Sequence, residues 1–223
     1  MFQDRREAGR VLGELVAELP DLADGVVLGL VRGGVPVAFE VAEACSLALD
    51  ILVVRKLGAP GAEELAMGAI ASGGAIVLND DVLRRFHVTE KKLEDVIERE
   101  RKEMERRENL YREGRAPLEI AGRTAVLVDD GLATGASMRA AIRAVKGRAR
   151  QVIVAVPVGA RSTCEDLAQD ADHVICALIP EPMDAVSLFY VEFGPTSDEE
   201  VKSLMSQASK NSSQSRTPSG SER

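Results

Sequence analysis

Short apolar runs alternate with helical patterns along most of this 223-residue chain, and no other feature constrains its fold as strongly. Each run has the length of a buried strand, and most are followed by a segment with helical periodicity, as in βαβ units. Such units build a parallel sheet that helices cover on both faces. The sequence therefore predicts an α/β fold with a mostly parallel sheet flanked by helices, its strands lying at 25–30, 49–54, 124–128, 151–158 and 173–179.

The stretch VLVDDGLATGAS at 126–137 combines two features of a ligand site. Asp129 and Asp130 directly follow a predicted strand, and adjacent carboxylates repel each other unless something in the folded state uses them. The small residues at 133–137 then open a helix, whose N–H groups and dipole favour a phosphate. The lysine of a Walker loop and the spacing of a dinucleotide fingerprint are both missing. The pattern indicates a ligand with hydroxyl groups and a phosphate; a surface aspartate pair beside a capped helix is the alternative.

Basic residues follow two other predicted strands. VRGGVP at 31–36 places Arg32 and two glycines between a strand and a helix, and Arg55 and Lys56 follow the next strand. Because the carboxyl ends of parallel strands share one edge of the sheet, these cations are expected to lie near the aspartate pair. Together they suit a second anionic group of the same ligand, with ordinary solvated strand ends as the alternative.

Composition excludes several classes of protein. The net charge of −8 argues against a nucleic-acid or membrane-surface partner, because both need a basic face. No apolar run has the roughly 18 residues of a membrane span, and the charged N-terminus is unlike a signal peptide, so the cytoplasm is the expected location. The three cysteines form no CxxC pair and predict neither a disulfide framework nor a zinc site.

One long charged helix is predicted inside the segment at 88–115, over about 89–113, with Thr89 as its N-cap. Its sparse apolar residues have heptad-like spacing, which forms a narrow stripe along one side. This stripe could pack on the body of the protein or on a second copy, so a homodimer is a possible assembly. The interleaved charges indicate a largely solvated structural helix rather than one that binds nucleic acid.

Three other segments are assigned from local composition. The Gly- and Ala-rich stretch at 57–74 is expected to be a mobile excursion, and the run at 75–78 to return to the sheet. The pattern at 162–165 is a capping box that opens a short helix. A single domain is expected over 1–205, and the polar, Ser-rich residues 206–223 are expected to be a disordered tail.

VLVDDGLATGAS resembles the signature of type I phosphoribosyltransferases, which bind 5-phosphoribosyl 1-pyrophosphate (PRPP), and VRGGVP resembles their pyrophosphate loop. The resemblance covers about 2–205 and implies the fold of that family, with a small hood and the charged helix as an insertion. It implies that Asp129 and Asp130 hold the ribose hydroxyls and act in catalysis. The implied contacts of the 5′-phosphate are Ala133, Thr134, Gly135, Ala136 and Ser137, and those of the pyrophosphate are Arg32, Gly33, Gly34, Arg55 and Lys56.

FQDRREAGRVL at 2–12 and YVEFGPTSDEEV at 190–201 resemble a narrower group, bacterial phosphoribosyltransferases whose acceptor is unassigned. In the wider family a non-proline cis peptide often precedes the basic residue of the pyrophosphate loop, which corresponds here to the bond between Val31 and Arg32. The stretch at 57–74 corresponds to the flexible lid that closes over the site.

The acceptor site is implied by a further resemblance. The segment at 179–193 is similar to the hood strand of purine phosphoribosyltransferases, to which N-terminal residues add. Met183 stands where an aromatic residue commonly stacks on the base, and Val158 ends the neighbouring strand, so these two are the implied acceptor contacts. The lysine with which those enzymes recognise a 6-oxo group has no counterpart in VPVGAR, which argues against a 6-oxopurine; Arg161 could take its place.

The resemblance implies an enzyme of nucleotide metabolism that transfers phosphoribosyl from PRPP to a small nitrogenous acceptor. Magnesium is the implied cofactor, carried by PRPP oxygens rather than by dedicated protein ligands. A non-catalytic PRPP-binding regulator of the same fold is the alternative, and the retained cations Arg32, Arg55 and Lys56 favour the enzyme. A phosphatase or kinase-like enzyme that uses the aspartates for metal is a third hypothesis, and the missing Walker lysine counts against it.

Overall fold

A computed structural model describes residues 1–214 of the chain, and the side chains of these residues except at 64 and 212–214. Its strands are β1 (Val26–Leu30), β2 (Ala48–Leu52), β3 (Val54–Ala59), β4 (Ala62–Ala71), β5 (Ala75–Leu78), β6 (Thr124–Val128), β7 (Gln151–Val158) and β8 (His173–Leu178). Its helices are α1 (Arg5–Ala17), α2 (Gly34–Cys45), α3 (Asp80–Arg85), α4 (Glu90–Arg112), α5 (Ala136–Val145), α6 (Arg161–Leu167) and α7 (Asp198–Gln214).

The main sheet has five parallel strands in the order β2-β1-β6-β7-β8. Successive side chains point to opposite faces, and each face carries its own hydrophobic cluster. Val27 and Val126 pack with α1 and α2 on one face, whereas Leu28 and Leu127 pack with α5 on the other. Because both faces are covered, the strands are continuous apolar runs in the sequence. The predicted α/β fold with a parallel sheet flanked by helices is confirmed.

A second, antiparallel sheet is formed by β3, β4 and β5. The backbone leaves the main sheet at Val53, whose N–H donates to the Ser72 hydroxyl (2.9 Å). The stretch at 57–74 leaves the main sheet as predicted, but it forms paired strands, and its mobility stays a prediction. The predicted return of 75–78 to the main sheet is wrong, because this run is β5 of the second sheet. Arg55 and Lys56 lie inside β3 rather than at the end of a parallel strand. The apolar residues run on from β2 into β3 without a turn residue, so no local signal marks the break.

The long charged helix is confirmed as α4, with the Thr89 hydroxyl accepting from the Lys92 N–H (3.4 Å). Its apolar stripe packs on the protein's own body, since Met104 and Tyr111 are buried in the cluster that also holds α1 and α2. At its C-terminal end, the buried Arg112 guanidinium donates to the carboxylate of Asp50 on β2 (3.0 Å). A charged pair thus fixes the end of the inserted helix to the edge of the main sheet.

The hood lies beyond the carboxyl ends of β7 and β8 and consists of residues 179–193 with the N-terminal residues 1–4. Phe2 joins the two parts, because its N–H donates to the Phe189 carbonyl (2.8 Å) and its carbonyl accepts from the Val191 N–H (2.9 Å). Where a hood strand was expected, the segment forms a 3₁₀ turn over Val186–Phe189 and a single bridge between Phe2 and Tyr190. Its core is a small aromatic and aliphatic cluster.

Two helix predictions need correction. Helix α6 begins at Arg161, and its N-cap Ala160 has no side chain that caps the helix, so the predicted capping box at 162–165 lies inside the helix instead of opening it. Helix α7 continues to Gln214, past the predicted domain boundary at 205, and buries an apolar stripe that includes Ala208. The predicted disordered tail is therefore wrong over 206–214, and its remainder at 215–223 lies outside the described residues. Among the residues described, no helix is long and apolar enough to cross a membrane.

The buried pair between Asp50 and Arg112 is expected to be a major contribution to stability. Asp50→Asn removes the more buried of the two carboxylates that pair with Arg112, whose side chain is 9% exposed. Breaking a buried pair costs about 3–5 kcal/mol, and because Glu108 remains as a partner (3.3 Å), we expect a loss at the lower end of this range. Glu98→Gln, which breaks solvent-exposed pairs on the same helix, should cost less than about 1 kcal/mol. Urea unfolding of both variants measures the difference. Equal losses would show that Arg112 is compensated by other groups.

Candidate functional site

The site lies where the order of the main sheet reverses. From β1 the chain crosses to β2 on one side, whereas β6 lies on the other side and is followed outward by β7 and β8. Ligands of open parallel sheets bind at such a switch point, beyond the carboxyl ends of the strands. Gly29 of β1 pairs with Val128 of β6, so Arg32 and Asp129 leave the sheet side by side. The sequence prediction that these two segments meet is consistent with this topology.

The two aspartates are held in different ways. The Asp129 side chain accepts from the Asp130 N–H (2.9 Å), which turns its carboxylate back toward the main chain. The Asp130 carboxylate accepts from Nε of Arg5 on α1 (2.8 Å), and the Asp130 carbonyl accepts from the Tyr190 hydroxyl of the hood (2.7 Å). Two elements that are distant in sequence, α1 and the hood, therefore fix Asp130, and Asp130 in turn fixes Asp129.

Burial and mutual repulsion shape the electrostatics of this pair. Removal from water raises the pKa of Asp129 well above its usual range, and the neighbouring Asp130 carboxylate raises it further. The bond from the Asp130 N–H and the positive charge of Arg5 act in the opposite direction. Burial also raises the pKa of the Tyr190 phenol, so this group stays a hydrogen-bond donor at neutral pH. A ligand with hydroxyl donors or positive charge would relieve the repulsion.

Gly33 and Gly34 bring the loop after β1 against the aspartates. A Cβ atom at Gly33 would lie 2.2 Å from an Asp130 carboxylate oxygen, and one at Gly34 would lie 2.6 Å from the Val128 carbonyl oxygen. Any side chain at these positions would displace the carboxylates or the loop. The peptide bond between Val31 and Arg32 is cis, as the resemblance implies. The predicted pyrophosphate loop and the aspartate pair are therefore parts of one surface.

The predicted phosphate loop precedes α5. Gly135 is its N-cap, has a φ of 69°, and offers no side chain to the first N–H groups of the helix. Thr163 of α6 packs against it, and the Thr163 hydroxyl donates to the Ala133 carbonyl (2.7 Å). The loop residues on either side of Gly135, including Thr134 and Ser137, are exposed. An exposed helix N-terminus held in place from below is suited to an anion.

Arg32, the predicted pyrophosphate contact after β1, has an acidic partner inside the protein. Its guanidinium lies 3.4 Å from a carboxylate oxygen of Asp198, at the start of α7. The same oxygen accepts from the hydroxyl of Tyr111 on α4 (2.7 Å). Burial and this bond raise the pKa of Tyr111 to about 12, and the two partners lower the pKa of Asp198. Arg32 is 42% exposed, so an incoming anion can still contact it.

Arg55, a predicted pyrophosphate contact, is bound to the inserted helix α4. Two nitrogens of Arg55 donate to one carboxylate oxygen of Glu100 on α4 (3.0 and 2.7 Å), so this arginine fastens β3 to the inserted helix. Lys56 is exposed on the same strand. Their predicted position at a parallel strand end is wrong because the chain has already entered the second sheet.

The implied acceptor contacts belong to the hood cluster. Val158 is fully buried and exposes no surface to an acceptor in this conformation. Met183 is half-buried and packs against the same cluster, together with Val186. Arg161, the alternative recognition residue, is paired with Glu181 of the hood segment. The structure gives Val158 a packing role in the hood cluster, and its contact with an acceptor stays a prediction.

Sequence reasoning missed four residues that contact the charged residues of the predicted site: Arg5, Tyr190, Asp198 and Glu100. Each belongs to a segment with ordinary helical or loop composition, and each partner is at least 45 residues away in sequence. The only available signal was that three of them lie in the stretches 2–12 and 190–201, which carry the narrower resemblance. A resemblance of whole stretches does not say which residue of the stretch contacts the site.

Comparison with known proteins gives a consistent result. The family model described as "Phosphoribosyl transferase domain" matches residues 4–187. Two proteins from strains of Mycobacterium tuberculosis, provisionally named phosphoribosyl transferases, are each 45% identical over 209 residues. These matches cover 93% of this chain and 47% of each relative, so the chain spans about half the length of the curated relatives. The crystal structure of TT1426 from Thermus thermophilus has 43% identity and a TM-score of 0.80, over 92% of this chain and 98% of that one.

Two glycine substitutions should distinguish a steric clash with backbone atoms from a steric clash with a side chain. A methyl group at Gly34 meets the Val128 carbonyl and the Asp129 Cα, which cannot move without the strand, so Gly34→Ala should cost about 2 kcal/mol. A methyl group at Gly33 meets the end of the Asp130 side chain, which can turn away only by weakening its bond to Arg5, so Gly33→Ala should cost about 1 kcal/mol, less than Gly34→Ala. Chemical denaturation measures both. A larger loss for Gly33→Ala would contradict the rigid contact at Gly34.

Asp129→Asn should stabilise the fold at neutral pH. A carboxyl with a raised folded-state pKa binds its proton more tightly in the folded chain, so stability falls as pH rises from the ordinary carboxyl pKa through the raised value. The amide keeps an oxygen to accept from Asp130 and has no charge to desolvate. We expect a Tm increase at pH 7 of about 2–4 °C per kcal/mol regained.

The advantage of the Asn variant should shrink toward pH 4, where the wild-type carboxyl is protonated. Thermal melts of both proteins between pH 4 and 8 provide the measurement. An unchanged or lower Tm at pH 7 would show that Asp129 is well solvated or compensated.

Proposed function

The chain belongs to the phosphoribosyl transferase family, and from this premise we propose that it transfers the 5-phosphoribosyl group of PRPP to a ring nitrogen of a base or similar heterocycle, releasing pyrophosphate. One observation carries the proposal. The half-buried aspartate pair that follows β6 lies against the glycine loop that follows β1, and the exposed N-terminus of α5 comes next in the chain. In this arrangement, carboxylates that can accept hydrogen bonds from hydroxyl groups lie between two positions where anions can bind.

The ribose and its 5′-phosphate would bind along the segment after β6. Asp129 and Asp130 accept hydrogen bonds from the two ribose hydroxyls, and charge-assisted bonds of this kind are strong. The 5′-phosphate binds at 133–137, where the N–H groups at the start of α5 and the hydroxyls of Thr134 and Ser137 can donate to it. The positive φ of Gly135 keeps side-chain atoms away from the phosphate.

The pyrophosphate would bind at the loop after β1. Arg32 supplies the charge and exchanges its ion pair with Asp198 for the ligand, while Gly33 and Gly34 let the backbone come close. We leave Arg55 and Lys56 out of this site, because Arg55 is bound to Glu100. The pyrophosphate is thus assigned one cationic side chain, Arg32, instead of the three that the sequence prediction gave it.

In the transfer, the acceptor nitrogen forms a bond to C1 of the ribose while the bond from C1 to the pyrophosphate oxygen breaks. Positive charge develops at C1, and fixed carboxylates beside the ribose stabilise it without reorganising. Bound at both ends, PRPP is held in line with the acceptor, which accounts for part of the rate enhancement. The proton of the acceptor nitrogen is released as the new bond forms.

Magnesium would accompany the donor. Carboxylate and phosphate oxygens with water are its preferred ligands, and the aspartates next to the ribose site fit water-mediated contacts. Within the described residues no group of three or more His, Cys, Asp or Glu side chains could hold a metal alone, so the ion would bind mainly to PRPP oxygens. When bound, it neutralises the leaving pyrophosphate.

A non-catalytic PRPP-binding regulator remains the second candidate. The observation that favours it is the pair between Arg55 and Glu100, which removes a cation that the enzyme hypothesis counted for the leaving group. A regulator needs to bind PRPP but not to release pyrophosphate. The acidic net charge argues against a regulator that acts on nucleic acid.

Calorimetric titration with PRPP and Mg²⁺ tests donor binding, and we expect saturable binding below millimolar concentration. Asp129→Asn combined with Asp130→Asn removes two charged acceptors and should weaken binding at least about 100-fold, since bonds to charged groups contribute about 1.5–3 kcal/mol each. Glu98→Gln, on the solvated side of α4, is the control and should bind as the wild type does. No binding by the wild-type protein at millimolar PRPP would refute the proposal.

A second assay separates enzyme from regulator. Pyrophosphate release is measured with PRPP, Mg²⁺ and a panel of nucleobases and small heterocycles. Release with at least one acceptor, lost in the double aspartate variant, supports the enzyme. PRPP binding without release across the panel supports the regulator.

A further inference from the structure

We propose that Arg5 is a positioning residue for the donor site, which fixes the carboxylate of Asp130 and ties it to the hood. The inference rests on the proposed function, since the ligand in question is PRPP. Arg5 lies in the first turn of α1, far in sequence from every residue of the predicted site. Arg5 is not among the site residues that the family resemblance implies.

The guanidinium of Arg5 is bound on two sides. Its Nε donates to the Asp130 carboxylate (2.8 Å), and a terminal nitrogen donates to the Gly194 carbonyl just after the hood segment (2.7 Å). The planar fork of an arginine can make both bonds at once in a fixed geometry, which a lysine cannot do. The orientation of the Asp130 carboxylate is therefore set by a group that is itself fixed.

Aromatic side chains of the hood region complete the support. The Arg5 guanidinium lies 3.9 Å from the ring centroid of Phe193, and that ring is 4.8 Å from the ring of Tyr190. The Tyr190 hydroxyl donates to the Asp130 carbonyl (2.7 Å). Asp130 is thus held through its side chain by Arg5 and through its backbone by Tyr190. A shift of the hood would be transmitted to the carboxylate by both contacts.

Low exposure makes this pair stronger than a surface ion pair. The Arg5 side chain is 12% exposed and that of Asp130 is 17% exposed, so water screens their attraction little. A carboxylate offers about four lone-pair positions, so Asp130 can accept from a ribose hydroxyl while it keeps the bond to Arg5. Arg5 therefore orients the acceptor oxygen without occupying the whole carboxylate.

The charge of Arg5 also acts on ionisation. The groups that face the aspartate pair are Arg5 from α1, Tyr190 from the hood and the two carboxylates themselves. Arg5 is the cation among them and opposes the rise in the pKa of Asp129 that burial and Asp130 cause. Without it the pair would take up a proton at higher pH, and a protonated carboxyl accepts hydroxyl hydrogen bonds less well.

Arg6 provides a matched control on the same helix turn. It also pairs with a carboxylate, that of Glu40, and its guanidinium also lies over an aromatic ring, that of Phe39. It contacts none of the predicted site residues. Arg6→Gln therefore removes an arginine, an ion pair and a ring contact from the same helix turn, as Arg5→Gln does, but it leaves the contacts of Asp130 unchanged.

The test measures the Kd of Mg²⁺ and PRPP by calorimetry from pH 5 to 8 for the wild-type protein, Arg5→Gln, Arg5→Lys and Arg6→Gln. We expect Arg5→Gln to weaken binding about tenfold at pH 7, in line with one charged hydrogen bond. Its loss of affinity on acidification should begin at higher pH than in the wild type. Arg5→Lys should keep the wild-type pH dependence but bind less tightly, and Arg6→Gln should match the wild type in both respects.

The outcomes separate this inference from the proposed function. If the wild-type protein does not bind PRPP, the proposed function fails, and the role of Arg5 fails with it. If the wild type binds and Arg5→Gln has the same Kd and pH dependence, the proposed function stands and the role of Arg5 is refuted. Equal weakening in Arg5→Gln and Arg6→Gln, with no shift in pH dependence, would also refute it, because it would indicate a structural loss only.

Discussion

The candidate site depends on placing two neighbouring carboxylates in a poorly solvated position at the end of β6. Burial and mutual repulsion both oppose this arrangement, as the raised pKa of Asp129 shows. The protein offsets the cost with the Arg5 guanidinium, with the N–H of Asp130 and with glycines that leave room for the carboxylates. The hood, α1 and the loop after β1 are all arranged around this pair, so their positions follow from one electrostatic requirement.

The ion pairs of the candidate site join residues that are distant in sequence. Arg5 pairs with Asp130, and Asp198 pairs with Arg32. Such pairing lowers the energy of the site before a ligand binds. It also means that an anion must compete with a carboxylate of the protein for Arg32. A ligand that brings its own magnesium carries less net negative charge. The Asp198 carboxylate therefore repels it less during this exchange.

The parallel strands and the long helix could be predicted because their signals are local: continuous apolar runs, capping residues and helical periodicity. The aspartate pair and the glycine loop were found for the same reason, and the family resemblance is confirmed. The errors arise where tertiary contacts decide. Helix α6 begins before the predicted capping box, with Ala160 as its N-cap, and the strand at Arg55 belongs to a second sheet. Arg5 and Asp130 are separated by 125 residues, and no local pattern links them.

The inserted helix α4 has a closer relation to the site than its solvated composition suggests. Glu100 holds β3 through Arg55, and Tyr111 orients the Asp198 carboxylate that pairs with Arg32. Because Tyr111 keeps its proton to a pH of about 12, it remains a donor throughout the neutral range. The helix therefore acts on the predicted pyrophosphate loop through a hydrogen bond and an ion pair in series. Although α4 is mostly exposed, it can in this way determine how strongly Asp198 holds Arg32. The strength of that ion pair sets how readily Arg32 binds a ligand.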